Sequence, residues 1–291
     1  MRRWVKLTFI TPQSVVEPIS NFLIEEGAPG VEEVEVDGQW QRLIAYLPQT
    51  GRERKILRSF RQYLRSLQAI HPGLPSIRVE TESIPESDWG ESWKRFFKPL
   101  RMGSRWVIKP PWARVRLKKD DLPIEINPSM AFGTGTHATT QLCLEALEKR
   151  MRKGHPSVLD VGTGSGILSI AACRLGAAEV WAIDIDQMAI ENARENVSRN
   201  QVSEKVRIIR GGIGKIQKKF DLVVANLDFK NLKRMRMPLI RHLKEGGTLI
   251  LSGVLKREAE GLRQRYIETQ LLQWIETERK GEWVCLTFQK R

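Results

Sequence analysis

The segment that most constrains this chain is seven residues long. Asp160-Val161-Gly162-Thr163-Gly164-Ser165-Gly166 closes an apolar, strand-like run at 157–161 and opens a helical pattern at 166–175. Glycines at such a junction allow a tight turn and let the backbone come close to a ligand, so the segment demands a strand-turn-helix unit. Its spacing is G-x-G-x-G, not the G-x-G-x-x-G that cradles a pyrophosphate. No Gly-Lys-Ser/Thr follows, which excludes a P-loop.

The surrounding periodicity extends that unit into a domain. Helices are expected at 137–152, 166–175, 187–199, 229–243 and 255–268. Strands are expected at 157–161, 179–184, 205–210, 220–225, 247–252, 271–278 and 282–288, the last two joined by Arg279-Lys280-Gly281. Alternating strands and helices predict an α/β class. The sheet is doubly wound, mostly parallel, seven-stranded and Rossmann-like, with helices on both faces. The closing hairpin adds an antiparallel strand that a plain dinucleotide-binding fold does not need.

A different rhythm governs the beginning of the chain. Val5, Leu7 and Phe9 alternate with Lys6 and Thr8, and Val15, Val16, Ile19, Phe22 and Leu23 recur at helical spacing. Two strands at 31–36 and 41–47 flank Asp37-Gly38, a hairpin signal. A helix at 52–68 and a strand at 76–82 complete a β-α-β-β-α-β order, the ferredoxin-like pattern. Residues 1–82 are therefore read as a small α+β substrate-recognition domain. Residues 83–119 are read as a connector rich in aromatics (Trp89, Trp93, Phe96, Phe97, Trp106, Trp112), and 120–291 as the catalytic domain.

The length of 291 residues accommodates two such domains, and 41% hydrophobic content supports packed cores. Cys143, Cys173 and Cys285 stand far apart without a Cys-x-x-Cys pair, and His71, His137, His155 and His242 show no ligand spacing, so neither disulfides nor a metal are expected. Met1-Arg2-Arg3-Trp4-Val5-Lys6 lacks the apolar stretch of a signal peptide. No run reaches the ~18 apolar residues of a membrane span. A cytoplasmic monomer without membrane association is expected. The formal net charge of +14 points to an acidic partner such as RNA or a ribosome, or to plain surface enrichment.

Charge also narrows the ligand. Asp184 ends the second strand, 22 residues after Gly162, near the offset of ~20 at which an acid receives ribose hydroxyls. Asp160 adds a second carboxylate at the tip of the first strand. Paired acids around a glycine turn repel phosphate and suit a cationic nucleoside. S-adenosyl-L-methionine, with a sulfonium and an ammonium, fits better than a nicotinamide dinucleotide. The fourth strand ends in Asn226-Leu227-Asp228-Phe229. Asn226 can accept hydrogen bonds from an amine and aim its lone pair along the methyl–sulfur axis. Asp228 is a candidate base, or equally a cap for the helix that follows.

Asn127-Pro128-Ser129-Met130-Ala131-Phe132-Gly133-Thr134-Gly135-Thr136-His137-Ala138-Thr139-Thr140 resembles the signature loop of the PrmA family, whose members methylate the large-subunit ribosomal protein L11. Trp89-x3-Trp93-x3-Phe97-Lys98-Pro99, Gly103 and Pro111-Trp112 are similar to that family's connector. The resemblance implies methylation of lysine ε-amines and of an α-amine on that protein, recognised by the N-terminal domain. It also implies cofactor contacts at Thr140, Gly162, Asp184 and Asn226, with Phe132 and Thr134 near the methionine end; Gly164 of the same turn is a further candidate contact. As a plain turn, the same loop would cap the helix at 137–152 through Thr136. The chain departs from the family pattern at Leu227-Asp228-Phe229, where Ile-Leu is usual, so the amine pocket is expected to be lined differently.

Two basic helices stand out. Lys230, Lys233, Arg234, Arg236, Arg241 and Lys244 crowd one, and Arg54, Lys55, Arg58, Arg61 and Arg65 the other. They are solvated faces or contacts to an acidic protein or rRNA. Methylation of RNA or of another protein, and a non-catalytic ribosome- or RNA-binding module, are the alternative readings.

Overall fold

The computed structural model describes residues 3–26, 28, 31–48, 53–70, 73–75, 77–85, 98–127, 137–151, 154 and 156–291. These fall into two compact units, which divide between residues 98 and 99.

The first unit contains β1 (Arg3–Pro12), α1 (Val16–Glu25), β2 (Val31–Asp37), β3 (Trp40–Pro48), α2 (Glu53–Ile70) and β4 (Glu80–Pro85). Its antiparallel sheet runs in the order β2-β3-β1-β4, as a ferredoxin-like connectivity requires. The β2–β3 turn is held by Asp37, whose Oδ1 accepts the backbone N–H groups of Gln39 and Trp40 at 3.0 and 3.1 Å. Period-two alternation sends Leu7, Phe9, Leu43, Ala45 and Leu47 to the face where Ile19, Leu23, Phe60 and Leu64 of the helices pack. The last strand lies later than 76–82. Its pairing with β1, from Thr8↔Glu80 to Arg3↔Pro85, carries it to the end of the neighbouring strand.

The second unit opens with β5 (Leu100–Met102), β6 (Trp106–Lys109) and β7 (Leu122–Glu125), a small sheet in that order. Met102, Trp106, Ile108 and Ile124 are buried against Leu142 and Leu147. Residues 99–127, which overlap the stretch read as a connector, thus pack into the core of this unit.

The main sheet is built from β8 (Ser157–Val161), β9 (Glu179–Asp184), β10 (Val206–Arg210), β11 (Phe220–Asn226), β12 (Leu243–Leu255), β13 (Leu272–Lys280) and β14 (Trp283–Lys290). Their order is β10-β9-β8-β11-β12-β14-β13, with β14 antiparallel to both neighbours and the other pairs parallel. The fold is therefore the doubly wound, mostly parallel α/β sheet expected. Helices α3 (Ala138–Arg150), α4 (Ile167–Arg174), α5 (Gln187–Arg199), α6 (Phe229–Arg241) and α7 (Lys256–Ile267) cover it. Val158, Leu222, Val224 and Ile250 join α3 and α4 in one core. Leu159, Val161, Val223 and Leu251 join α6 and α7 in the other. β12 is longer than 247–252 because its start pairs with Phe220 and its end with Trp283. That early start also ends α6 at Arg241.

Candidate active site

Three adjacent parallel strands bring the candidate groups to one edge of the sheet. β8 is flanked by β9 and β11, in the registers Val161↔Ile183 and Ala225↔Val161. Gly162 thus leaves the sheet between Asp184, the last residue of β9, and Asn226, the last of β11. With strands ~4.8 Å apart, the three backbones fall within about 10 Å across the carboxyl edge. β8 and β11 also flank the point where strand order reverses, which is where open α/β sheets bind ligands.

The turn after β8 is built on glycine because its backbone takes conformations that side chains oppose. Gly162, Gly164 and Gly166 have φ of +75°, +55° and +82°, a region that L side chains rarely enter. The N–H groups of Gly162 and Thr163 both donate to the Ile183 carbonyl, at 2.9 and 3.0 Å. A Cβ on Gly162 would meet Leu227 Cδ2 at 2.5 Å, and one on Gly253 would meet the Leu227 carbonyl oxygen at 2.3 Å. Leu227 donates its N–H to Ser252 at 3.0 Å. Wedged between two glycines, Leu227 fixes the backbone that carries Asn226.

Asp160 is fully buried. Its Oδ2 accepts from the hydroxyls of Thr163 and Ser169, both at 2.7 Å, while Oδ1 has no partner among the described residues. Burial pushes its pKa up to about 6; the two hydroxyl bonds oppose the rise, and the Asp184 carboxylate adds to it. Asp184 lies at the half-buried rim, and its two oxygens accept the N–H groups of Gly164 and Asp186, each at 3.0 Å. Each oxygen keeps a further lone pair for a hydroxyl donor. Asp186 in turn caps α5 through the N–H of Met188.

Ile185 and Met188, beside Asp184, are 75% and 45% exposed. Apolar groups left in water beside this carboxylate can pack on the flat face of a base. Sequence reasoning missed them because an apolar residue just past a strand looks like core until the strand end is fixed. Thr140 is buried on α3, and its Oγ1 has no partner among the described residues. Asp160 Oδ1 and Thr140 Oγ1 are thus buried polar atoms with no partner among the described residues, as a site for a polar cationic ligand requires. Phe132 and Thr134 lie outside the described residues.

At the end of β11, Asn226 donates through Nδ2 to Thr139 Oγ1 at 3.1 Å. That hydroxyl lies 2.7 Å from His137 Nδ1. His137, not Thr136, is the N-cap of α3: its Nδ1 accepts the Thr139 N–H at 3.4 Å. The imidazole nitrogen can do this because it stands as far from the backbone as an asparagine oxygen. The ring is buried, meets Trp283 edge-on at 4.8 Å, and has its pKa lowered by that burial. His137 and Thr139 stand in the loop that resembles the family signature, but their part in the cap carries no sequence signal, since the cap is expected one residue earlier. Asp228 caps α6, its oxygens accepting from the backbone N–H and the side-chain amide of Asn231 at 2.8 and 2.5 Å. Both oxygens are therefore engaged in holding the helix start.

Comparison with known proteins points one way. The family model described as ribosomal protein L11 methyltransferase (PrmA) matches residues 3–291. A ribosomal protein L11 methyltransferase from Pelobacter propionicus is 37% identical over 99% of this chain and 98% of its own length. One from Pelotomaculum thermopropionicum is 38% identical, over 97% of each chain. The crystal structure of a ribosomal protein L11 methylase from Lactobacillus delbrueckii subsp. bulgaricus is similar at a TM-score of 0.63 and 33% identity, covering 67% of this chain and 100% of that one.

Proposed function

The chain belongs to the ribosomal protein L11 methyltransferase (PrmA) family, and from that membership we propose that it methylates lysine ε-amines and the N-terminal α-amine of ribosomal protein L11. As a member it is a protein methyltransferase dependent on S-adenosylmethionine. The observation that best supports the reading is the convergence of Asp184, the glycine turn and Asn226 at three neighbouring strand ends.

The bound cofactor supplies an electrophilic methyl group on a sulfonium. The residues of the chain supply placement. Asp184 offers lone pairs to ribose hydroxyls, and the turn at Gly162–Gly164 brings bare backbone close. Asp160 and Thr140 offer unsatisfied polar atoms toward the cationic end. Asn226 Oδ1 accepts from the incoming amine and orients its lone pair. In-line displacement is governed by orientation, which contributes several kcal/mol, on the order of intramolecular effects. A lysine amine, with a pKa of ~10.4 in water, must arrive deprotonated, and desolvation on binding lowers that value. Asp228 serves the cap of α6, and placement of the amine is assigned to Asn226.

The first unit is assigned recognition of the protein substrate, and the chain is taken to act as a monomer in the cytoplasm. Among the described residues no helix is long and apolar enough to cross a membrane. One observation favours an additional RNA contact. Arg54, Arg58, Arg61 and Arg65 are exposed along one stripe of α2, and no carboxylate of the described residues pairs with them. Mass spectrometry of ribosomal protein L11 incubated with the chain and S-adenosylmethionine tests the main reading. Added methyl groups on lysine and N-terminal peptides are expected, with and without nuclease. An unmodified protein, or label found only on RNA, refutes it.

A further inference from the structure

We propose that His137 and Thr139 are positioning residues that decide which end of the Asn226 amide faces the accepting amine. The proposal rests on the reading of Asn226 as the group that orients that amine. It adds the reason why the amide presents oxygen and not nitrogen.

The two ends of an asparagine amide are nearly equal in shape and opposite in chemistry: the carbonyl oxygen attracts an amine N–H, and the NH2 group opposes it. Nothing in Asn226 itself selects one. The selection begins at the helix start. The backbone N–H of Thr139, one of the unsatisfied donors of the first turn of α3, points at His137 Nδ1 at 3.4 Å. A nitrogen that accepts this N–H carries no proton of its own. The ring is therefore the neutral tautomer protonated at Nε2, and its position at a helix N-terminus and its burial both disfavour a cation.

Each later step is then fixed in direction. Thr139 Oγ1, 2.7 Å from the bare Nδ1, must donate its hydrogen to it. Having spent its hydrogen, the hydroxyl can only accept from Asn226, which therefore turns Nδ2 to it at 3.1 Å. Oδ1 remains the unspent end of the amide, with no hydrogen bond among the described residues. A proton on Nδ1 would reverse every link: the hydroxyl would accept from the ring and donate to the amide oxygen, and the NH2 group would meet the amine. His137 and Thr139 thus set a hydrogen-bond polarity that runs from the backbone of α3 to the end of β11. Wedging of Leu227 between Gly162 and Gly253 holds the strand end while the relay sets its side chain.

The test uses the full-length chain and reads tautomer, exchange and turnover. In the 15N-labelled protein, His137 is expected to show a bare Nδ1 and a protonated Nε2, and the Asn226 side-chain protons are expected to exchange slowly. Thr139→Val, which keeps the shape and removes the relay hydroxyl, is expected to speed that exchange. It should also lower kcat on ribosomal protein L11 by about 10- to 100-fold, as small misplacements at a reacting centre do. Its S-adenosylmethionine affinity and Tm should match the parent, and Thr139→Ser should restore turnover and slow exchange. A protonated Nδ1, an unchanged Asn226 exchange rate in Thr139→Val, a Thr139→Ser as impaired as Thr139→Val, or an equal loss of cofactor affinity overturns the proposal. A parent chain that leaves ribosomal protein L11 unmethylated overturns the functional reading instead, and the tautomer and exchange measurements still decide the relay.

Discussion

Asp160 sets the charge of the pocket, and its buried position makes that charge depend on pH. Burial raises its pKa from 3.8 to about 6, so the folded chain keeps a proton that the unfolded chain releases between those values. The associated stability is fully present below pH ~4 and lost as pH rises through about 6, an order-of-magnitude effect of about 3 kcal/mol. Asp160→Asn removes the titration. Urea unfolding at both ends of that window should show the variant gaining on the parent as pH rises, and a difference independent of pH would refute the burial account. The same proton opposes a cationic ligand. Calorimetry should find S-adenosylmethionine bound more tightly as pH rises through about 6, with the dependence flattened in Asp160→Asn. Gly162 makes a geometric demand. Its φ of +75° and the 2.5 Å approach of Leu227 to a would-be Cβ strain any substitution. Gly162→Ala should cost roughly 1–3 kcal/mol. Adding Leu227→Ala should recover the steric part only, so a double-mutant cycle in urea should show coupling between the two sites. Additive effects would mean that the turn and the β11 loop are not in contact.

The caps and the small sheet show why some elements were legible and others were not. Strands β8, β9 and β11 and helices α4 to α7 were readable because long apolar periods and glycine breaks agree. β5, β6 and β7 span 3, 4 and 4 residues, too short for a period to register, and Trp106 reads as one more aromatic of the connector. The ends of β12 depended on pairing with Phe220 and Trp283, distant positions that no local window contains. At α3 the cap was hidden because histidine is an uncommon N-cap and the threonine before it a common one. At α6, by contrast, the cap reading of Asp228 was open from the start, and it yields a clean separation. Asp228→Ala should lower stability by ~1 kcal/mol, the usual worth of a lost N-cap, and leave kcat within about threefold. Asn226→Ala, half-buried at a strand end, should abolish methylation with little change in Tm. Thermal melts and single-turnover assays on the two variants check this, and loss of chemistry in Asp228→Ala at full stability would restore it as a base.

At the scale of the molecule, charge bears on partners. A net charge of +14 favours acidic partners, and a protein substrate need not be one. Composition could indicate such a partner but not locate its contact, because the strand order β2-β3-β1-β4 and the placement of α2 come from pairing and not from charge. The fold puts Arg54, Arg58, Arg61 and Arg65 at helical spacings of four, three and four residues, on the exposed side of α2. Like charges at these spacings weaken a helix by a few tenths of a kcal/mol per pair, a cost with no return in the first unit itself, since no carboxylate of the described residues offsets it. Guanidinium groups in a row are suited to phosphates, each of which can take two N–H donors. The chain is therefore expected to bind duplex RNA with a steep salt dependence. Replacing the four arginines with glutamine should reduce the slope of log K against log[salt] by roughly 3–4, at about 0.9 released counterion per lost contact. Methylation of free ribosomal protein L11 should be unchanged in the same variant. Titrations with a fluorescent RNA duplex at several salt concentrations measure the slope directly. A parent slope near zero, or a variant slope equal to the parent's, would show the stripe to be a solvated face.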